Sequence, residues 1–235
     1  MASEFDFIVI MGASRSAKMM PRYLSQLIVA EIPYHVEPLR IVSPSDGTMG
    51  FVVDHFSRMA HQFSEYSRLV LTDAWDVMFW GDRQSLSARL SLFAPHVLFG
   101  AERNCYPEPH LADAIAANYQ PTPSTPWRFL NGGCLTGSPA EIIQWCETVQ
   151  KHPEYDPAMI GQQWLNRRLA ENSPLTRIDF RTHLFYCLFR EDEGNELVLQ
   201  DGKPFNSLTG SSPLFTHFNG SWPPQPFLRM MGENV

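Results

Sequence analysis

The sequence predicts an α/β fold built on a mixed, mostly parallel sheet with flanking helices. Three observations carry this. Compact apolar runs recur through the first half, each is followed by a polar stretch rich in turn residues, and segments of helical length separate them. Residues 7–11 form the first strand, and the GASRS after them is a polar turn. Residues 18–30 read as a helix in which Pro21 is tolerated only in the first turn. Residues 36–42 are a second strand, and SPSDGTMG at 43–50 is a loop of turn residues. A helix over 51–63 leads to a third strand at 69–72. A short helix at 86–93 leads to a fourth strand at 96–99.

The second half is less regular. Residues 121–126 are a proline-rich loop. SPAE at 138–141 starts a helix, because Ser138 can cap it, Pro139 suits the first helical position and Glu141 completes a capping box. That helix runs to about residue 150, and another spans about 159–170. In ELVLQDGKPFN, at 196–206, Asp201-Gly202 between two short runs predicts a hairpin. The end of the chain, with Pro213, Pro223, Pro224 and Pro226, reads as an extended tail. No internal repeat or linker stands out, so one domain over 1–235 is the simplest organisation.

Composition narrows the function classes. Of the 235 residues, 44% are hydrophobic and 18% charged, a mix that builds a core rather than a disordered chain. A net charge of −7 argues against a general nucleic-acid binder, whose affinity rests on a basic surface. Arg167, Arg168, Arg177, Arg181 and Arg190 lie close in sequence and either line a local basic groove or scatter over the surface. No run approaches the ~20 apolar residues of a membrane span, and MASEFDF lacks the features of a signal peptide. The four cysteines show no CxxC spacing, so free thiols are expected rather than a zinc site. A soluble, cytoplasmic protein is expected, in the host cytoplasm if the source is a virus.

The sharpest chemical feature is Thr72-Asp73-Ala74-Trp75-Asp76, directly after the third strand. Ligands of open α/β sheets bind beyond the carboxyl ends of strands. Two carboxylates three residues apart can turn toward one point there, and hard oxygen donors suit Mg²⁺ or Mn²⁺. Taken alone, the pair reads equally well as a helix cap and a surface charge. His217, in FTHFNG, is a candidate third ligand, and an imidazole nitrogen would tilt preference toward Mn²⁺. Spacing alone does not link it to Asp73. Asn131-Gly132-Gly133, in RFLNGGCLTG, lets a ligand approach the backbone closely or forms a plain tight turn.

Four segments together resemble the glycosyltransferase domain of the procollagen lysyl hydroxylase (collagen glucosyltransferase) family and its microbial and viral relatives. LVLTDAWDVMFWGD resembles the metal-binding strand and loop, and HVLFGAERNCYPEP the segment that follows it. RFLNGGCLTG resembles the family's Leu-Asn-Ser-Gly-Gly stretch, and THFNGSW its histidine-asparagine-glycine motif. The resemblance implies a GT-A-type, Rossmann-like fold, a UDP-sugar donor (UDP-glucose above all) and a Mn²⁺ ion. By position, Asp73, Asp76 and His217 would bind the metal. Ala13, Ser14 and Trp75 would lie against the nucleotide, and Asn131, Gly132, Gly133 and Gly220 would line the donor site. Glu102 matches the family's glutamate and would face donor or acceptor. The family has an acidic cluster ending in Asp-Asp-Gln. Here the segment reads Gly161-Gln162-Gln163, with Gln163 matching the glutamine and Gln162 in place of an aspartate, an amide that can orient a sugar but cannot act as carboxylate nucleophile or base. The implied acceptor is a hydroxyl of a protein, glycan, metabolite or hydroxylated DNA base. The rival classes are a sugar nucleotidyltransferase and a non-catalytic nucleotide-sugar-binding protein.

Overall fold

The computed structural model describes residues 6–13, 20–39, 47–74, 76–117, 124–168, 174–188 and 195–219. The tail from 220 onward, the far part of the second strand, residues 121–123 of the proline-rich loop, and Ser14, Trp75, Arg190 and Gly220 lie outside them.

The central sheet has six strands. They are β1 (Phe7–Ala13), β2 (Tyr34–Pro38), β3 (Arg68–Asp73), β5 (Val97–Glu102), β6 (Phe129–Gly137) and β7 (Thr176–Ile178). Their spatial order is β2-β1-β3-β6-β5-β7. β1 runs parallel to β2 and β3, and β5 parallel to β7. β6 alone is antiparallel to its neighbours β3 and β5. The sheet is therefore mixed but mostly parallel, as the sequence predicts.

The apolar runs are continuous because both faces of the sheet are covered. Along β1, Ile8 and Ile10 enter one core and Phe7, Val9 and Met11 the other. On the first face lie helices α2 (Met49–Gln62), α5 (Pro139–Gln150) and α6 (Gly161–Arg168), with Trp145 and Trp164 packed against Leu69, Leu71 and Phe99. On the second lie α1 (Met20–Val29) and α3 (Arg83–Ser91). A small three-stranded sheet joins that second core. It consists of β4 (Val77–Phe79), β8 (Phe185–Cys187) and β11 (Phe215–His217), in the order β4-β11-β8.

Local chemistry sets the ends of several elements. The capping box expected at Ser138 forms: its hydroxyl accepts from Glu141 N–H and Glu141 accepts from Ser138 N–H. The same Glu141 carboxylate holds Arg68 at 3.0 Å and so ties α5 to β3. Asp82 and Ser85 make a second capping box on α3. The hairpin of β9 (Leu197–Gln200) and β10 (Lys203–Asn206) turns at Asp201 and Gly202, both at positive φ, as a two-residue turn of this hand requires. A short helix, α4 (Ala112–Ala117), follows a 3-10 turn at Pro109–Leu111.

Two expectations change. The chain just after Pro213 is not tail, because Phe215–His217 form the buried strand β11 between β4 and β8. Asn131-Gly132-Gly133 is not a turn but the middle of β6. There the ladder with β5 shifts register, so that Phe99 pairs with Leu135 and the next residue, Gly100, with Asn131. Gly132, Gly133 and Cys134 thus bulge out of the pairing with β5.

Two measurements test this packing. Ser138→Ala removes one half of a capping box and should lower stability by about 1 kcal/mol in a denaturant titration. The second concerns pH. Burial, with the positive Arg58 beside it, pushes the His55 imidazole from 6.5 down to about 4. Between those values the unfolded chain binds a proton that the folded chain refuses, so stability should fall as pH drops from about 6.5 to about 4. His55→Phe should flatten that part of the stability–pH curve.

Candidate metal centre

Asp73, Asp76 and His217 meet at the carboxyl end of the central sheet. Asp73 is the last residue of β3, in register with Gly12 of β1. The chain turns at once into β4, the Ala74 N–H donating to Gly12 O at 3.1 Å, and carries Asp76 to the start of β4. His217 arrives from far along the chain because β11 pairs antiparallel with β4, placing it opposite Val77. Phe218 N–H then donates to Asp76 O at 2.9 Å and locks the two segments together. His217 Nε2 lies 3.2 Å from Asp76 Oδ1 and 3.5 Å from Asp73 Oδ2. One ligand atom from each of the three residues lies within 4.8 Å of the others. His217 and Asp76 are buried, while Asp73 is partly open.

A chain of hydrogen bonds decides which imidazole nitrogen faces the carboxylates. The Glu102 carboxylate can only accept, and it accepts from Asn219 Nδ2 at 2.5 Å. The Asn219 carbonyl therefore accepts from Asn131 Nδ2 at 2.8 Å. The Asn131 carbonyl is then the group that accepts from Gly133 N–H at 3.1 Å and meets His217 Nδ1 at 2.9 Å. Nδ1 must carry a proton, so in the neutral ring Nε2 presents its lone pair to Asp73 and Asp76. Burial opposes charge on His217, but the adjacent Asp76 outweighs it and holds the pKa well above the usual imidazole value. The alternative to that proton is a cation bound by two carboxylate oxygens and one nitrogen. This donor set fits Mn²⁺ or Mg²⁺, the nitrogen favouring Mn²⁺.

The backbone leaves room for such an ion. A Cβ on Gly133 would lie 2.4 Å from His217 Cε1 and 2.6 Å from Asp73 Oδ2, so only glycine fits against these two side chains. Gly132 N–H donates to Gln162 Oε1 at 2.9 Å. Gln162 Nε2 in turn donates to Leu130 O at 2.7 Å and to the Glu102 carboxylate. Glu102 is 2% exposed and spans the floor of the site between Asn219 and Gln162.

The structure thus brings together Asp73, Asp76, His217, Asn131, Gly132, Gly133, Glu102 and Gln162. Ala13 ends β1 at the same edge of the sheet, half-buried, its carbonyl taken by Leu39 N–H at 2.8 Å. Gln163 turns away from the centre and hydrogen-bonds Glu108, whose carboxyl Arg167 holds below the usual range. Ser14, Trp75 and Gly220 lie outside the described residues. Sequence reasoning missed Asn219, which joins Glu102 to Asn131. Its signal was adjacency to His217 and a residue type that tolerates positive φ, here 43°. The strip of arginines is divided. Arg167 and Arg168 pair with Glu108 and Glu154, while Arg177 and Arg181 stand near the start of β5.

Two substitutions test the centre without removing a ligand. Gly133→Ala should abolish Mn²⁺ binding in a calorimetric titration, because the new methyl occupies the space between His217 and Asp73. Asn131→Ala should lower Mn²⁺ affinity about 10–100-fold by releasing the imidazole from its orientation.

Comparison with known proteins places this geometry. The family model described as the PLOD GT domain matches residues 53–232. The uncharacterized protein R699 of Acanthamoeba polyphaga mimivirus is 24% identical over 154 residues, covering 65% of this chain. The matched stretch is 31% of R699, so the chain corresponds to about a third of that protein's length. The crystal structure of a glycosyltransferase involved in glycosylation of the major capsid of PBCV-1 superposes with a TM-score of 0.53. It is 11% identical, with 97% of this chain and 99% of that one covered. That likeness is one of fold. The family match takes in Asp73, Asp76 and His217 and the whole Glu102–Asn219–Asn131 chain, and the protein belongs to the PLOD glycosyltransferase-domain family.

Proposed function

We propose that this glycosyltransferase moves a sugar, glucose first among the candidates, from a UDP-sugar to an acceptor hydroxyl, with Mn²⁺ held by Asp73, Asp76 and His217. The observation that carries the reading is the convergence of those three side chains beside a glycine bulge at the carboxyl end of the mixed central sheet. A divalent cation there would supply charge stabilisation to the departing diphosphate. Asp73 and Asp76 provide two anionic oxygens from a rigid strand end, and His217 is held in one tautomer by Asn131. Gly132 and Gly133 expose backbone where a sugar can approach. Glu102 holds Gln162 and Asn219 in place, and so acts here as a positioning residue.

Charge bears on the choice among acceptors. Arg167 and Arg168 are already ion-paired, so the described members of that arginine group do not combine into one free basic surface. This favours a protein, glycan or metabolite hydroxyl over a hydroxylated DNA base. Among the described residues no helix is long and apolar enough to cross a membrane.

The test is UDP release from a panel of UDP-sugars with Mn²⁺ and with EDTA. Release from one sugar, lost in EDTA and lost in Asp76→Asn, is expected, with UDP rather than pyrophosphate as the product. Equal release in EDTA or in the variant would overturn the metal assignment.

A further inference from the structure

A second site lies at the opposite end of the sheet. A cavity of about 330 Å³ opens beside the start of β5, between the end of α3 and edge strand β7. Its apolar wall is Leu92, Phe93, Leu98, Ile178 and Phe180. Its polar side is Arg177, Arg181, His96 and His183. Leu98 and Glu102 are four residues apart on β5, which puts the cavity about 13 Å along the strand from the floor of the metal centre.

The charge on this wall is positive and available. Among the described residues neither Arg177 nor Arg181 has a carboxylate partner, and Arg177 makes one bond, to Thr176 O at 3.1 Å. The one acid on the wall, Asp179, is consumed internally. Its oxygens accept from the backbone N–H groups of His183, Leu184 and Phe185 at 2.8, 2.7 and 3.0 Å. The protonation of His183 is also fixed. Arg89 has only donors and meets His183 Nδ1 at 3.3 Å, so Nδ1 is the acceptor and the proton sits on Nε2. Burial, helped by Arg89 and Arg181 against the pull of Asp179, lowers the His183 pKa and keeps the ring neutral. The cavity is therefore lined by two arginines and a neutral imidazole beside an aromatic and aliphatic wall.

We propose that this cavity binds a small organic phosphate, its apolar body against Phe93, Leu98 and Ile178 and its phosphoryl oxygens on Arg177 and Arg181. Guanidinium forks match phosphoryl oxygens in geometry and charge. The site is separate from the metal centre and does not depend on the reading of that centre.

Phenyl phosphate and inorganic phosphate are the probes, titrated calorimetrically into the full chain in EDTA so that no metal ion can capture them. Phenyl phosphate should saturate one site, and inorganic phosphate should bind at least about tenfold more weakly because it leaves the apolar wall unused. Arg177→Ser and Arg181→Ser should each weaken phenyl phosphate about tenfold. Both arginines are on the surface, so the double variant should keep the wild-type thermal midpoint while losing binding. Asp76→Asn should bind phenyl phosphate as the wild type does. Absence of saturation in the millimolar range, or unchanged affinity in the folded double variant, would overturn the proposal.

Discussion

The carboxyl end of this sheet is organised by one side-chain amide. Asn131 accepts from Gly133 N–H and from His217 Nδ1 with one atom and donates to Asn219 with the other. Its own orientation is imposed by Glu102 through Asn219, because a carboxylate offers only acceptors. The bulge in β6, the tautomer of His217 and the floor of the site are therefore one constraint. A buried chain of this kind tolerates no half measures, since each unsatisfied member would be left in a low-dielectric interior. It also explains why the lone antiparallel strand lies in the middle of the sheet. β6 must pass between β3 and β5 to bring Asn131 within reach of both Glu102 and His217.

Much of the scaffold was legible in the sequence for plain physical reasons. β1 and β3 are buried on both faces, so they read as compact apolar runs. The Ser138–Glu141 capping box and the Asp201-Gly202 turn are local devices whose residues announce themselves. What stayed hidden was set by distant partners. β4, β7, β8 and β11 have three residues each, too few for any period to show. β6 carries two glycines where a strand should carry bulk. It is a strand because β3 holds it through Thr72↔Cys134 and Leu71↔Leu135 while β5 lets it bulge.

The site divides in the same way. Asp73 and Asp76 could be found from their place after an apolar run. The link from Asp73 to His217 could not, because it exists only through the β4–β11 ladder. Family resemblance supplied that link where spacing could not. The resemblance put Gln162 and Gln163 side by side, but helix geometry separates them. Adjacent positions on α6 point about 100° apart. Gln162 therefore meets Gly132 and Glu102, while Gln163 meets Glu108.

The late arrival of β11 has a consequence for the protein as it is made. The carboxylates of Asp73 and Asp76 and the bulge in β6 emerge from the ribosome well before the imidazole of His217 does. Until β11 inserts between β4 and β8, the nascent chain has an open seam in its small sheet, and Asp73 and Asp76 lack their imidazole neighbour. A divalent ion bound by Asp73, Asp76 and His217, as proposed, would bridge the two sheets and draw the equilibrium toward the closed arrangement by mass action. Among the described strands, β11 is thus the latch of the small sheet, since β4 and β8 meet only through it.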